Sequence, residues 1–231
     1  MANRSVLVTG ATGGLGTAVS AAFSARGWRV VAPQRQRPDP EDGPEGDAPV
    51  RIVADLTDAQ DAARVAEVAA GDPEAPLRAV VNLVGGYASG GLVHETPIED
   101  FERMLTVNLR PTHLVTRAAL PHLVAAGGGA VVCVAARAAV APFPGVAGYV
   151  TAKAAVLGFA AAVAVEYKAA GVRCNTVLPS VIDTPTNRHA MPDADHARWV
   201  DPAEIASVIR FLASDESAPT SGAAVPVYGR A

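Results

Sequence analysis

The chain of 231 residues predicts an α/β domain in which a doubly wound parallel sheet of about seven strands is flanked by helices. Three observations carry that expectation. Short Val-rich runs alternate with longer helical stretches, the signature of successive βαβ units. The first run passes through a glycine turn straight into a helix, as the first unit of such a sheet does. Half of the residues are hydrophobic, yet aromatics supply only 5%, so Ala-rich helices can lie close on Val-rich strands. The length suits one sizeable core rather than two domains, so residues 1–231 are expected to form a single domain.

Strands are expected near Ser5–Thr9, Arg29–Ala32, Val50–Ala54, Ala79–Val84, Ala130–Ala135, Arg173–Leu178 and Ala223–Val227. Helices fall between them, near Leu15–Arg26, Ala59–Ala70, Ile98–Ala126, Ala147–Ala170 and Pro202–Ala213. The third helical stretch reads as two helices or one bent helix, because Pro111 and Pro121 interrupt it. Pro33–Pro49, rich in Pro, Asp and Gly, reads as a mobile loop. Gly85–Pro97 and Pro179–Val200 each follow the C-terminal end of a strand, where open parallel sheets bind their ligands.

Composition narrows the class of partner. Asp and Glu number 23 against 19 Lys and Arg, with no basic block, so a nucleic-acid surface is not expected. The N-terminal residues run directly into a strand and lack a secretory h-region. No apolar run reads as long enough to span a bilayer, because Arg137, Lys153 and Glu166 interrupt the best candidates. Cys133 and Cys174 lie in strand-like segments and read as buried reduced thiols. These features suggest a soluble, cytoplasmic protein.

Thr9-Gly10-Ala11-Thr12-Gly13-Gly14-Leu15-Gly16 places Gly10, Gly14 and Gly16 on the spacing G-x-x-x-G-x-G. So tight a turn favours residues without a Cβ, and a pyrophosphate must approach backbone N–H groups at a helix N-terminus. Gly10, Thr12, Gly13, Gly14, Leu15 and Gly16 are therefore the candidate pyrophosphate site. A protein that takes NAD usually shows an acidic residue after the second strand. Here the segment reads Pro33-Gln34-Arg35-Gln36-Arg37, and Arg35 or Arg37 suits a 2′-phosphate. NADPH (or NADP+) is the expected cofactor, with NADH the alternative. Asp55, at the end of the third strand, is placed to meet the adenine, or else to cap the following helix.

Tyr149 and Lys153 stand one helical turn apart on one face. A free tyrosine, with a reference pKa of about 10, is a weak acid or base at neutral pH. An ammonium one turn away stabilises the tyrosinate, so the pair suits proton transfer while a hydride moves.

With these pieces in place, the chain resembles the short-chain dehydrogenase/reductase family over nearly its whole length. The motifs are Thr9–Gly16, Asp55-Leu56, Val81-Asn82-Leu83-Val84-Gly85, Val107-Asn108-Leu109, Tyr149-x-x-x-Lys153, Asn175, and Leu178-Pro179-Ser180 running on to Thr184. The resemblance implies a single Rossmann-fold domain and an NAD(P)-dependent oxidoreductase with Tyr149, Lys153 and Asn108 as catalytic residues. Tyr149 would be the general acid/base, Lys153 would bind the nicotinamide ribose, and Asn108 would hold a water in a proton relay. Asn82, Leu56, Val84 and Gly85 would lie along the cofactor, with Pro179, Val181 and Thr184 near the carboxamide.

One position departs from the family. Its usual serine, which polarises the substrate carbonyl, falls on Ala136, and alanine offers no donor. Arg137, Thr151 or the substrate itself is left to compensate. The dihydropteridine reductase branch also lacks that serine, and the likeness extends to Gly85–Gly91, Ala135–Ala139 followed by Pro144–Tyr149, and Leu178–Arg188 followed by Met191–Asp195 and Trp199. Asn108 differs from that branch. Ala136, Arg137, Tyr87 and Trp199 are the candidate substrate residues, and the two aromatics suit stacking on a flat substrate or packing of their own loops.

His94, His113, His122, His189 and His196 show no metal-ligand spacing, and no metal is expected. The Ala160–Val165 stretch is too apolar for a wholly solvated face. By the resemblance, a homodimer or homotetramer acting on a small-molecule substrate follows. The expected activity is hydride transfer to a C=N, conjugated or carbonyl group. The alternatives are a nucleotide-binding regulator whose chemistry has lapsed, or recruitment to a biosynthetic step that need not be redox.

Overall fold

The computed structural model describes residues 3–36 and 49–230. Arg37 and most of the Pro33–Pro49 loop lie outside the described residues.

Seven parallel strands form one sheet: β1 (Ser5–Thr9), β2 (Arg29–Gln34), β3 (Val50–Val53), β4 (Leu77–Asn82), β5 (Gly129–Val134), β6 (Val172–Pro179) and β7 (Ala224–Val227). Their spatial order is β3-β2-β1-β4-β5-β6-β7. The order reverses between β1 and β4, and the crevice beyond the strand ends there is where open α/β sheets take ligands. Each of β1's five residues is buried, because helices cover both sheet faces. The edge strands β3 and β7 are more exposed, and Pro226, which cannot donate to a ladder, sits on β7 at the edge.

Among the described residues the α-helices are α1 (Gly14–Ser24), α2 (Ala59–Ala70), α3 (Ile98–Asn108), α4 (Arg110–Ala125), α5 (Ala147–Glu166), α6 (Pro185–Ala190) and α7 (Pro202–Ala213). One core layer gathers α2, α4 and α5 on Leu7, Val80, Val131 and Cys133. The other gathers α1 and α7 on Val6, Val8, Val81 and Val132. Strand side chains alternate between the layers, so the continuous Val runs feed both. Cys133 and Cys174 are buried free thiols.

Four elements differ from expectation. The 98–126 stretch is two helices, but the break falls at Leu109 and Pro111 opens α4 in its first turn, where no N–H is required. Pro121 does not end α4. It lies on the exposed side, so the carbonyl it leaves unbonded faces water. Helix α5 stops at Glu166, and a 3-10 turn over Lys168–Ala170 closes on Gly171 at φ 73°. The Pro179–Val200 loop contains α6, which opens on Pro185 with the Thr184 hydroxyl accepting from Asn187 N.

By length and composition α5 is apolar enough to cross a membrane, contrary to the reading of its charges as interruptions. Lys153 does not break the apolar face, because the fold buries it. Gly148 sets α5 tight on α3: a Cβ there would lie 3.3 Å from the Phe101 Cα.

Candidate active site

The glycine turn lies at the reversal point, between β1 and α1. Gly10 has φ 67°, a left-handed conformation that favours glycine. Gly13 N donates to Gly10 O at 3.1 Å. A Cβ on Gly16 would collide with the Gly10 carbonyl oxygen and lie 2.6 Å from the Ala11 Cα. A Cβ on Gly14 would lie 2.7 Å from the Thr184 Cγ2, so the start of α6 lies directly against the turn. Leu15 is buried, while Thr12 and Gly13 are exposed. The N-terminus of α1 has neither a side-chain cap nor an acidic residue in its first turn. Its leading N–H groups thus face the crevice without a carboxylate beside them.

Thr9 stitches this turn to the neighbouring strand. Its Oγ1 accepts from Leu83 N at 3.0 Å and Val84 N at 3.3 Å. Asn82, buried at the end of β4, donates to the Thr116 Oγ1 at 2.9 Å, but its Oδ1 has no partner among the described residues. At the far side, Asp55 Oδ1 accepts from both the N and Oγ1 of Thr57, which holds the carboxyl below the usual carboxylate range, with Arg35 adding a smaller effect. The cap of α2 is Asp58, so Asp55 does not serve as the helix cap. Leu56 is buried, and Arg35 is exposed at the end of β2.

Tyr149 and Lys153 share one face of α5 as their spacing requires. Lys153 is 6% exposed, and its Nζ donates to Val134 O at 3.0 Å. Burial pushes it down to about 8. Asn108, at the end of α3, is fully buried. Its Oδ1 accepts from Gly86 N at 3.1 Å and its Nδ2 donates to Gly86 O at 3.0 Å. The Asn108 amide therefore clamps the loop after β4. Gly85 lies between the two: a Cβ there would be 2.6 Å from the Asn108 Oδ1 and 3.1 Å from the Lys153 Nζ. Two helices, α3 and α5, thus converge on the loop that carries that glycine.

The expectation that Lys153 lowers the pKa of Tyr149 is not met. Burial, reinforced by Tyr87, pushes the Tyr149 phenol up to about 12. The ammonium is held by the Val134 carbonyl, 6.0 Å from the Tyr149 ring centroid, and desolvation of the phenol dominates. The neutral phenol is the resting form, as a proton donor requires.

Ala136 is buried and extended, with φ −160° and ψ 155°, and carries no donor. Thr151 does not replace it. Two residues on from Tyr149, it turns to the opposite side of α5 and is exposed. Arg137 places its guanidinium 5.1 Å from the centroid of the Tyr228 ring. Tyr87, 60% exposed, meets Tyr149 edge-on at 5.1 Å between centroids. Its loop is tied down where Gly90 N donates to Gly145 O at 2.8 Å.

The 179–200 loop is closed at its base by a bridge between Ile182 and Val200. Pro179 ends β6 and is buried, with Val181 and Thr184 half-buried beyond it. Trp199 packs on His196 at 4.3 Å, within its own loop. Asn175 serves the sheet: its amide donates to Thr220 O and accepts from Ala223 N. Tyr228 was not singled out in the sequence, where it falls on no chemical spacing, and Ser180 was named there only as part of the Leu178-Pro179-Ser180 motif, without a role. Ser180 Oγ donates to Tyr228 O at 2.8 Å.

These residues fit a dinucleotide. The turn is a cradle that side chains would fill, the α1 N-terminus is uncapped, and the Asn82 side-chain Oδ1 is buried without a partner among the described residues at the end of the neighbouring β4. Among the described residues, no group of three or more His, Cys, Asp or Glu is placed to hold a metal.

Fold and site together define a dinucleotide-dependent oxidoreductase of the Rossmann type. The family model for short chain dehydrogenases matches residues 4–195, and the chain belongs to the short-chain dehydrogenase/reductase family of NAD(P)-dependent enzymes. It is 33% identical to the 2-(R)-hydroxypropyl-CoM dehydrogenase of Xanthobacter autotrophicus over 98% of each chain. It is 32% identical to the (3R)-3-hydroxyacyl-CoA dehydrogenase of Mus musculus, over 96% of this chain and 94% of that one. A short-chain type dehydrogenase/reductase from Mycobacterium ulcerans superposes with a TM-score of 0.90 at 26% identity, covering 100% of this chain and 90% of its own. A Beutenbergia cavernae chain assigned as an NAD(P)-dependent gluconate 5-dehydrogenase, with NADP bound at low occupancy, gives 0.87 at 29% identity, covering 99% and 96%.

Proposed function

We propose that the protein transfers hydride between NADP(H) and a small C=N, conjugated or carbonyl substrate, with Tyr149 as general acid/base. The observation that carries this reading is the convergence of Asn108, Gly85 and Lys153 beside Tyr149 and the glycine cradle. The bound nicotinamide would supply or accept the hydride. Gly10, Thr12, Gly13, Gly14, Leu15 and Gly16 hold the pyrophosphate against the α1 N-terminus. Asp55 and Leu56 lie along the adenine, with Asn82, Val84 and Gly85 along the adenosine side. Pro179, Val181 and Thr184 border the nicotinamide. Lys153 holds the ribose hydroxyls and returns a proton to Tyr149 Oη, and Asn108 keeps the Gly85–Gly86 backbone open for that exchange.

Arg35 favours the 2′-phosphate and hence NADPH, since no carboxylate follows β2 within the described residues to repel it. Ala136 moves the preference away from simple ketones, whose oxygen would lack a second donor. A conjugated C=N such as that of a quinonoid dihydropterin delocalises its own charge and depends less on that donor. The apolar, exposed side of α5, with Val165 77% exposed, supports a homodimer or homotetramer through this helix.

A second reading, a nucleotide-binding regulator without turnover, draws on Ala136. The test is NADPH and NADH oxidation with a quinonoid dihydropterin, an imine and a conjugated ketone, comparing wild type with Tyr149→Phe. Turnover lost in the variant supports the reductase. Tight NADPH binding with no turnover on any of the three supports the regulator.

A further inference from the structure

Strand β5 carries its pairing one residue past Val134, as Ala135 N donates to Val177 O at 2.9 Å. The backbone then enters a 3-10 turn, Arg137–Ala139, which packs against α5. Val131, Cys133 and Ala135 belong to the core layer that α5 covers, and Tyr228 packs against the same layer. Arg137, two residues past Ala135, reaches Tyr228 across the end of β6. Its guanidinium therefore lies at the C-terminal edge of the sheet, on the side that bears Tyr149 and Lys153. The Ser180 hydroxyl, bonded to Tyr228 O, fixes the main chain beneath the ring.

The partners of this cation are unusual. Arg188 is closed by Asp183, Arg210 by Glu216 and Arg64 by Asp61. Arg137 is half-buried, yet its guanidinium makes no hydrogen bond or ion pair among the described residues. The guanidinium lies over the Tyr228 ring. Stacking on an aromatic orients a guanidinium and leaves the N–H fork in its plane free. That fork matches a carboxylate, sulfonate or phosphate. It stands next to the alanine that leaves the reacting group without its second donor.

We propose that Arg137, shelved on Tyr228, binds an oxyanion carried by the substrate, so that the molecule is aligned by its charged end rather than by a hydroxyl at position 136. The anionic group is a handle and takes no part in the transfer. The hydride still goes to the reacting carbon and the proton still comes from Tyr149. The proposal rests on the reductase reading of the site and names the class of substrate: small carbonyl or imine compounds bearing a carboxylate, sulfonate or phosphate.

The test uses the NADPH-loaded protein, with cofactor fluorescence as the readout. It is titrated with acetoacetate, acetonylsulfonate and hydroxyacetone phosphate, and with neutral pentane-2,4-dione. At least one anionic ketone is expected to bind about tenfold tighter than the neutral one, the scale of a charge-assisted contact. Arg137→Gln should remove that preference while NADPH and the neutral ketone bind within about twofold of wild type. Arg137→Lys should restore part of it, since the charge returns without the fork. Which anion binds distinguishes a carboxylate from a sulfonate or phosphate handle. Equal binding of all four ketones to the wild type, or a preference that survives Arg137→Gln, overturns the proposal. Failure of NADPH itself to bind would sink the underlying reductase reading, and the proposal with it, and is seen before any ketone is added.

Discussion

Lys153 Nζ donates to the main-chain carbonyl of Val134 at 3.0 Å, anchoring a buried ammonium of α5 to the last residue of β5. The bond supplies one acceptor to a group with three donors, so desolvation outweighs it and the pKa falls to about 8. Tyr149, buried one turn away, moves the opposite way, up to about 12.

These two shifts predict a stability profile with a definite shape. Between about pH 8 and 10.5 the unfolded chain keeps the lysine proton that the folded chain releases, so stability rises with pH by about 2–3 kcal/mol. Above pH 10 the unfolded tyrosine ionises while the buried phenol does not, so stability falls toward pH 12 by about 2 kcal/mol. Urea unfolding from pH 7 to 11 should therefore show a maximum near pH 10 attributable to this pair. Lys153→Met should flatten the rising limb and Tyr149→Phe the falling one. A profile unchanged by either variant would refute both assignments.

Tyr149→Phe removes the phenolic hydroxyl and leaves the ring that meets Tyr87. Turnover should fall by at least about a hundredfold, the usual scale for losing a general acid. Fluorescence titration should find NADPH affinity within about twofold of wild type.

Glycine substitutions should separate cradle from proton path. Gly16→Ala drives a Cβ into the Gly10 carbonyl, which is backbone and cannot step aside. Cofactor affinity should drop at least about tenfold, with a stability loss of about 1–3 kcal/mol. Gly85→Ala instead meets side-chain atoms of Asn108 and Lys153, which can shift. Its mark should be a fall in kcat with a smaller change in NADPH affinity, read from steady-state kinetics beside a binding titration.

The proposed preference for NADPH rests on Arg35. Arg35→Ser should weaken NADPH by about tenfold and leave NADH within about twofold, because the lost contact is a charge-assisted bond to the 2′-phosphate alone. Parallel titrations of the two cofactors decide it, and equal losses for both would show that Arg35 does not distinguish them.

Much of this molecule could be read from its chain. The alternation of Val-rich runs with helical stretches located all seven strands, since strand burial on both faces writes itself as local apolar runs. The glycine spacing and the Tyr149–Lys153 interval were equally legible, because a turn's backbone and one turn of helix are local geometry. Short α6 escaped notice. Its signals, Thr184 as cap and Pro185 at the first turn, lie in a segment with no apolar period. Pro121 misled because a proline's cost depends on which side of the helix faces water, and that is set by packing.

By itself, then, the sequence determined the order of elements, the parallel sheet and the residue types from which a dinucleotide site is built. The tertiary structure decided which of them meet. Gly85, Asn108 and Lys153 come together from a loop and two helices, and Arg137 finds Tyr228 across the end of a strand. It also decided the protonation of the pair, since Lys153 is depressed and Tyr149 raised by burial that neither residue's neighbours in the chain reveal. The physical reason is one of range. Periodicity and turns are local, whereas desolvation and side-chain convergence are set by elements far apart in the chain.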